Sequence, residues 1–409
     1  MVKKELLQEY ARVTVNIGAR VKKGEIVFVN AQLDQPEFVR MVVEECYKAG
    51  AKEVIVKWHD EQIGRLHYKY QSISTLGHID MMALARYKYM VKYLPTYIHI
   101  ISEDPDAMKG INQMKIAKAQ QRAYPKIKKY IDASESKYKW TIVAVPGKPW
   151  AKKVFPKDSE EEAMNKLWNA ILLTARVEEN KGVQNWEEHN NTLVSKRQKL
   201  MDMHLKALHY KASNGTDFHV ELDPNRRWGA GIETAPNKGE YNPNIPTEEV
   251  FTSPIAGKAE GTLVATKPLS YQGELIEDFS ISFKDGKVSE VKAKKNQKLL
   301  EQMVSMDEGS SMLGEVALVP FESPINEAGI LFYNTLFDEN AVCHVALGMG
   351  FRELVPNSED MTPEQIKEAG INDSMIHVDF MIGSRDLDIV GEDEKGNKIQ
   401  IFKNGTWAF

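Results

Sequence analysis

A histidine and an aspartate near the end of the chain, His377 and Asp379, have the types and spacing of a metal-chelating pair. They lie in the segment SMIHVDFMI, whose alternating apolar residues predict a β-strand. Side chains two residues apart on a strand project from the same face, so the imidazole and the carboxylate can reach one ion. Such a pair suits a borderline divalent metal, although many strands carry one by chance. By itself the pair indicates only a candidate metal site.

Three glutamates and a second histidine lie in apolar or glycine-marked segments of the same C-terminal third. They are Glu249, Glu315, Glu339 and His344. Charged side chains seldom enter such segments unpaired, because burial of an ionised carboxylate is costly unless a cation or hydrogen bonds compensate. These four residues therefore support a metal site in this part of the chain.

Four strings that contain these residues resemble the aminopeptidase T and aminopeptidase S family of metalloaminopeptidases, in order and in spacing. The strings are NIPTEEVFTSP, GEVALVP, LFDENAVCHVALG and HVDFMIG. The similarity covers the whole length, including IVFVNAQ near the start and the KNGTW ending. It implies two catalytic divalent metal ions per chain, held by Glu249, Glu315, Glu339, His344, His377 and Asp379. Four carboxylates and two neutral imidazoles carry about four negative charges, which two divalent ions would balance.

The resemblance implies an aminopeptidase that releases N-terminal amino acids from peptides. Two ions of zinc, cobalt, manganese or iron would bind the substrate's α-amino group and carbonyl oxygen and would activate a bridging water. Peptides with a free N-terminus are then the expected partners, because an acylated nitrogen cannot coordinate a metal. A carboxylate must also carry a proton to the leaving amine. Glu315 is the first candidate if it does not bridge both metals, and Glu248 is the second, although Glu248 can equally face solvent.

One residue departs from the family pattern. The family carries a tyrosine seven residues after the histidine ligand, whereas this chain has Phe351, which cannot donate a hydrogen bond. Losing one oxyanion donor typically costs on the order of 100- to 1000-fold in turnover. A metal-retaining peptide binder with low turnover is therefore one alternative function. A mononuclear iron oxygenase on a related scaffold is the other, and it would need only His344, His377 and Asp379.

Length and composition predict a two-domain globular protein. The chain has 409 residues, of which 42% are hydrophobic and 27% charged, and its net charge of −5 argues against a nucleic-acid partner. Two cysteines indicate a reducing compartment rather than a disulfide framework. No apolar run approaches the roughly 20 residues that a membrane span needs. We therefore expect a soluble, cytoplasmic protein with no membrane partner, and the resemblance implies a homodimer.

Short β-branched segments alternate with helical patterns in the first half of the chain. The segments are 26–30, 53–57, 97–101 and 141–145, and the apolar stripe over 37–47 ends before Gly50. Such alternation is typical of a parallel sheet covered by helices. No GxGxxG or GxxxxGK-S/T string follows any segment, so a nucleotide-binding role lacks its usual phosphate loop. His59, at the end of the second segment, is interpreted as a loop or core histidine.

The pattern changes from helices to strands after residue 206. Ser159 and Glu162 predict a capping box ahead of one helix, and a second helix is predicted over 186–205. From residue 208 the apolar period is two, and hairpin turns are predicted at 214–215, 285–286, 395–397 and 404–405, with helical patterns near 293–306 and 362–369. The sequence thus predicts an α/β N-terminal domain with a largely parallel sheet over 1–206. A strand-rich α+β metal-binding domain is predicted over 207–409.

Overall fold

The structure, a computed structural model, describes residues 2–134 and 136–409. Two compact units divide the chain, and each is built from two stretches of it. The first unit comprises Met1–Glu188 and Ile232–Pro246, and the second comprises His189–Gly231 and Thr247–Phe409. The predicted domain limits, 1–206 and 207–409, stay a prediction, because units of dense contact need not be independently folding domains.

Long helices occur up to Asp202, and the helices after that residue have at most eight residues. The α-helices in chain order are α1 (Lys4–Val13), α2 (Pro36–Lys48), α3 (Glu61–Tyr70), α4 (Ile73–Leu76), α5 (Met81–Tyr93), α6 (Gln113–Ser134), α7 (Lys148–Val154), α8 (Glu160–Thr174), α9 (Gly182–Asp202), α10 (Gln297–Val304), α11 (Pro324–Glu327), α12 (Thr335–Asp338) and α13 (Pro363–Glu368). The predicted capping box of α8 is present, with Ser159 and Glu162 each bonded to the other's backbone N–H. Within the described residues, no helix is both long and apolar enough to cross a bilayer.

Strands alternate with helices in the first unit and follow one another in the second. In chain order they are β1 (Ile26–Gln32), β2 (Glu53–His59), β3 (Thr96–Ile101), β4 (Trp140–Ala144), β5 (Leu205–Lys211), β6 (Asp217–Glu221), β7 (Gly229–Ala230), β8 (Glu233–Ala235), β9 (Gly239–Tyr241), β10 (Asn244–Ile245), β11 (Val250–Thr252), β12 (Ala259–Val264), β13 (Leu269–Tyr271), β14 (Glu274–Lys284), β15 (Lys287–Lys295), β16 (Leu313–Leu318), β17 (His344–Gly348), β18 (His377–Met381), β19 (Asp388–Asp393), β20 (Lys398–Lys403) and β21 (Thr406–Trp407). All four predicted hairpin turns connect antiparallel strands.

A parallel sheet forms the middle of the first unit, in the strand order β10-β4-β3-β1-β2. The predicted α/β class is therefore confirmed for this part of the chain. Alternate residues of β1, namely Val27, Val29 and Ala31, are buried, as expected for a strand packed closely on one face. The opposite face carries Phe28, whose ring lies 5.9 Å from that of Tyr89 on α5. Helices therefore cover both faces of this sheet.

Antiparallel sheets form the second unit, which confirms the strand-rich class predicted for it. A five-stranded sheet has the order β18-β17-β16-β11-β7, and a nine-stranded sheet has the order β13-β14-β12-β6-β5-β19-β20-β21, with β15 paired to β14. Buried apolar residues such as Val316, Val345 and Phe380 pack the five-stranded sheet against the core of this unit.

Two predicted helix limits are wrong. The helix predicted over 186–205 ends at Asp202 because Leu205 begins β5, and the one predicted from 293 begins at Gln297 because β15 extends to Lys295.

Candidate active site

One face of the five-stranded sheet brings the predicted metal ligands together. Glu315 on β16 pairs with Ala346 on β17, and Ala346 pairs with Asp379 on β18. Directly opposed residues in antiparallel strands project from the same face, so the two carboxylates flank a methyl group. His344 is two residues before Ala346 on β17, and His377 is two residues before Asp379 on β18, so both imidazoles project from this face as well. The small alanine between the carboxylates leaves room for ligands above the sheet.

Two clusters of potential ligands result from this arrangement. In the first, His344 Nε2 lies 3.3 Å from Glu249 Oε2, and Glu315 completes the group. In the second, His377 Nε2 lies 3.1 Å from Glu315 Oε2 and 3.4 Å from Asp379 Oδ1. Within each cluster, one ligand atom from every residue lies within 4.8 Å of the others. Glu315 belongs to both clusters, so its carboxylate lies within reach of the other potential ligands of each.

Both imidazoles are oriented by hydrogen bonds to backbone carbonyl oxygens. His344 Nδ1 lies 3.3 Å from the carbonyl oxygen of Val342, and His377 Nδ1 lies 2.8 Å from that of Met349. A carbonyl oxygen only accepts, so each Nδ1 carries the hydrogen and donates it. Nε2 of each ring is then directed at the carboxylates, where it carries a proton in the absence of cations and would be a ligand atom in their presence. Metal-binding histidines are typically fixed in this way by an acceptor on the second nitrogen.

One buried atom indicates that the clusters fit cations. Among the described residues, the buried Asp379 Oδ1 accepts no hydrogen bond of good geometry, although His377 Nε2 lies 3.4 Å away as an ion-pair partner. Leaving such an atom unsatisfied costs about 1 to 3 kcal/mol, and more when the group is charged. A divalent cation would satisfy this oxygen together with the oxygens of Glu249 and Glu315. The mixture of carboxylate oxygens and imidazole nitrogens suits zinc, cobalt, manganese or iron.

Burial and the closeness of several carboxylates shift the pKa values of the titratable side chains in the site. Burial raises the pKa of Glu315 to about 7, against the hydrogen bond from His377. Burial lowers the pKa of His344, but the bond and charge of Glu249 outweigh it and raise that pKa to about 10. Burial likewise opposes protonation of His377, but Asp379 and Glu315 raise its pKa to about 12. Without bound cations the imidazoles therefore carry protons, which compensate for the carboxylates.

Glu339 lies beside the same charges, in the 3-10 turn Glu339–Ala341 ahead of β17. Burial, followed by the charges of Asp379 and Glu249, holds its pKa well above the ordinary value. The fully buried Asn340 donates a 3.4 Å hydrogen bond from Nδ2 to Glu339 Oε1. Its Oδ1 accepts from the backbone N–H of Glu248 at 2.8 Å. Asn340 thus connects the segment of Glu339 to that of Glu248 and Glu249.

Glu248 is not the solvent-facing carboxylate that the sequence left open as an alternative. Only 4% of the residue is exposed, and its Oε2 lies 3.8 Å from His189 Nε2. His189 Nε2 also lies 2.8 Å from the carbonyl oxygen of Thr247. Sequence reasoning singled out neither His189 nor Asn340. The apolar setting of Asn340 in LFDENAV was the available signal, since a buried amide needs partners.

Phe351 lies against the metal-ligand candidates. Its ring centroid is 5.1 Å from that of His377 and 5.1 Å from that of Phe251. Its backbone N–H donates a 2.8 Å hydrogen bond to Ser253 Oγ, which fixes the start of the side chain. A residue at this position therefore borders the site, and the loss of a phenol here removes a donor from its edge.

The site offers a donor set that suits divalent metals, and the sequence relatives are metalloproteases and aminopeptidases. The chain belongs to the thermophilic metalloprotease (M29) family, whose sequence model matches residues 3–407. It is 40% identical over 406 residues to aminopeptidase AmpS of Bacillus subtilis (strain 168), covering 98% of each chain. It is 36% identical over 411 residues to aminopeptidase T of Thermus aquaticus, covering 99% of this chain and 98% of the relative. The predicted resemblance and enzyme class are thereby confirmed.

Solved structures agree with the family. Wild-type AmpT from Thermus thermophilus matches with a TM-score of 0.90 at 33% identity, over 99% of this chain and all 100% of the other. A 2,5-dihydroxypyridine dioxygenase from Pseudomonas putida KT2440 matches with a TM-score of 0.53 at 13% identity, over 98% and 96% of the two chains. At that identity the second likeness concerns the fold alone. The oxygenase alternative gains no support from it.

Proposed function

We propose that the protein is an aminopeptidase that removes N-terminal residues from peptides at a centre of two divalent metal ions. The observation that carries the proposal is the shared position of Glu315, which belongs to both ligand clusters. Glu249 and His344 would complete the first metal site, and His377 and Asp379 the second. Glu339, whose pKa responds to the same carboxylates, is the sixth ligand. Bound metal would supply Lewis acidity toward the substrate amine and carbonyl and would lower the pKa of water.

The protein's own groups bind, orient and move protons around that centre. Backbone acceptors on Nδ1 hold His344 and His377 as neutral Nε2 ligands. Glu315 is occupied as the bridging carboxylate in this proposal, so Glu248 is the group that carries the proton to the leaving amine. Its backbone N–H is fixed by Asn340, and its carboxylate lies near His189.

A direct test replaces ligands and measures metal content together with hydrolysis of leucine-4-nitroanilide. Glu315→Gln and His377→Ala should abolish turnover and lower bound metal from about two ions per chain, because each removes a donor from a charge-balanced cluster. Glu290→Gln, on the exposed strand β15, and His219→Ala, on β6, are matched controls that should change neither quantity. Full metal content and full turnover in Glu315→Gln would exclude the proposed site.

A metal-retaining peptide binder with low turnover is a second candidate, and Phe351 is the observation that favours it. The ring beside His377 has no hydroxyl to donate to a developing oxyanion. Tight binding of a peptide with a free N-terminus, without release of its first residue, would identify this function. Metal stoichiometry separates both candidates from a single-iron oxygenase, which would bind one ion per chain.

The assembly state and the location of the protein also belong to this proposal. We infer a homodimer in the cytoplasm, on the resemblance to the family and on the reducing conditions that two buried free thiols favour. Light scattering of the purified chain measures the first, and cell fractionation measures the second. A monomer at micromolar concentration would overturn the dimer without affecting the proposed chemistry.

A further inference from the structure

A crevice in the first unit lies at the carboxyl ends of its parallel strands. The order β3-β1-β2 places the first strand between the next two, and α2 follows β1 while α6 follows β3. The chain connections therefore diverge between β1 and β3, which makes this gap the topological switch point of the sheet. Ligands of open α/β sheets bind in such gaps, at the carboxyl ends of the strands. The crevice has a volume of about 170 Å³.

Polar side chains from three strands and one loop line the crevice. Parallel register aligns Gln32 with His59, and Asn30 with His99, so both pairs share one face of the sheet. Glu103 lies two residues beyond the end of β3 and also borders the crevice. His59 thus lies on the β2 side, Glu103 and His99 lie on the β3 side, and the amides lie between them.

Cationic groups gather on the His59 side. Lys57, two residues before His59 on β2, faces the same way. Burial first, then the charges of Lys57 and Arg86, lower the pKa of His59, so both cations lie close to this ring. Over residues 2–134 and 136–409, no carboxylate is within ion-pair distance of Lys57, His59 or Arg86. Lys57 and Arg86 do not line the crevice themselves, but their charges act on His59, which does, so this end favours an anionic group.

The opposite end of the crevice favours a cation. Glu103 accepts a hydrogen bond at its Oε1 from Gln32 Nε2, at 3.4 Å. The described part of the chain places no lysine, arginine or histidine in an ion pair with this carboxylate. Adjacent strands are about 4.8 Å apart, so His59 on β2 and the end of β3 are separated by about 10 Å of backbone. Side chains that point inward from both sides leave space for one small molecule.

Size and charge together define the ligand. About 170 Å³ is well below the roughly 300 to 1,000 Å³ of sites for drug-sized molecules. A nucleotide would lack its usual phosphate contacts here, because no glycine-rich loop follows β1 in the sequence. A small molecule with a negative and a positive end matches the crevice. Free α-amino acids have both charges on one carbon atom.

We propose that this crevice binds a free α-amino acid, with its carboxylate toward His59 and Lys57 and its ammonium group toward Glu103. Asn30 and Gln32 supply amide hydrogen bonds between the two ends. The crevice shares no residue with the candidate metal centre, and binding there does not require the proposed peptidase activity. A chain without any turnover would bind the same ligand here.

Isothermal titration calorimetry with L-alanine tests the proposal. The full-length chain carries His377→Ala, so that a free amino acid cannot register through the intact metal centre, and the wild-type chain in excess chelator serves as a second background. One saturable site per chain is expected. Propionate lacks the amine and ethylamine lacks the carboxylate, and each should bind at least about tenfold more weakly, because a charge-assisted contact is lost.

Substitutions test which residues bind the carboxylate and which bind the ammonium group of the amino acid. Glu103→Gln should weaken L-alanine about tenfold or more and leave propionate unchanged, whereas Lys57→Met should weaken both. Glu44→Gln, on the exposed side of α2, is the control and should change neither. Far-ultraviolet circular dichroism confirms that each variant is folded. Failure of L-alanine to saturate, equal affinity for propionate, or full affinity in Glu103→Gln would each overturn the amino-acid site.

Discussion

The substitution Phe351→Tyr tests whether the missing phenol limits turnover. The ring is fixed from two sides, with Phe251 and His377 each 5.1 Å away between centroids. Its backbone is held by Ser253. A tyrosine ring should therefore occupy the same place and carry its hydroxyl beyond the ring edge at the border of the metal-ligand clusters. Adding one hydroxyl to a half-buried ring changes the packing little, so we expect the melting temperature to stay nearly constant.

The expected gain in rate follows from the value of one oxyanion donor. Such donors contribute about 2.7 to 4 kcal/mol to transition-state stabilisation in water-excluded sites, which corresponds to about 100- to 1000-fold in turnover. Phe351 is only partly buried, so water competes for the new donor and weakens its effect. We therefore expect a smaller increase of about 10- to 100-fold, equivalent to about 1.4 to 2.7 kcal/mol.

The assay is steady-state hydrolysis of leucine-4-nitroanilide, with metal content measured on the same samples. The control is Phe321→Tyr, which adds a hydroxyl to a half-buried ring that contacts Arg385 rather than His377. This control should leave turnover unchanged. Equal or lower turnover of Phe351→Tyr at full metal occupancy would refute the reasoning. Another donor would then serve the oxyanion, and Phe351 would be an ordinary wall of the site.

Three further predictions concern the substrate amine, the support of the ligands and the metals. N-acetylation of a cleaved peptide should abolish its hydrolysis, as followed by mass spectrometry, and cleavage of the acetylated peptide would contradict a metal-bound amine. Asn340→Ala leaves the N–H of Glu248 without its acceptor, so it should lower the unfolding free energy by about 1 to 3 kcal/mol and metal affinity by about 10- to 100-fold. If Asn340→Ala unfolded in denaturant with the wild-type free energy, Asn340 would not support the segment of Glu248. Chelation should lower the unfolding free energy by about 2.7 kcal/mol for each site previously filled at one hundred times its Kd, and Glu315→Gln should respond less. An unchanged thermal melt after complete removal of metal would show that the ions do not stabilise the fold.

Local patterns in the sequence determined much of the secondary structure. The capping box at Ser159 and Glu162 and the four hairpin turns formed as predicted, because caps and tight turns depend on residues close together in the chain. Limits between a strand and a following helix were less reliable. The helix predicted from residue 293 starts at Gln297 because pairing with β14 keeps residues up to Lys295 extended. That pairing is a tertiary contact, which overrides the local helical pattern.

The sequence by itself also supplied the chemistry of the site, in the types and order of its ligands. The pair at His377 and Asp379 required only the two-residue period of a strand. Tertiary structure alone decided that Glu315 lies in both clusters, since this depends on the register of β16 with β17 and of β17 with β18. It also decided that Glu248 is buried beside His189 and that Asn340 supports it. These contacts join residues far apart in the chain, and only the paired strands bring such residues within reach of one another.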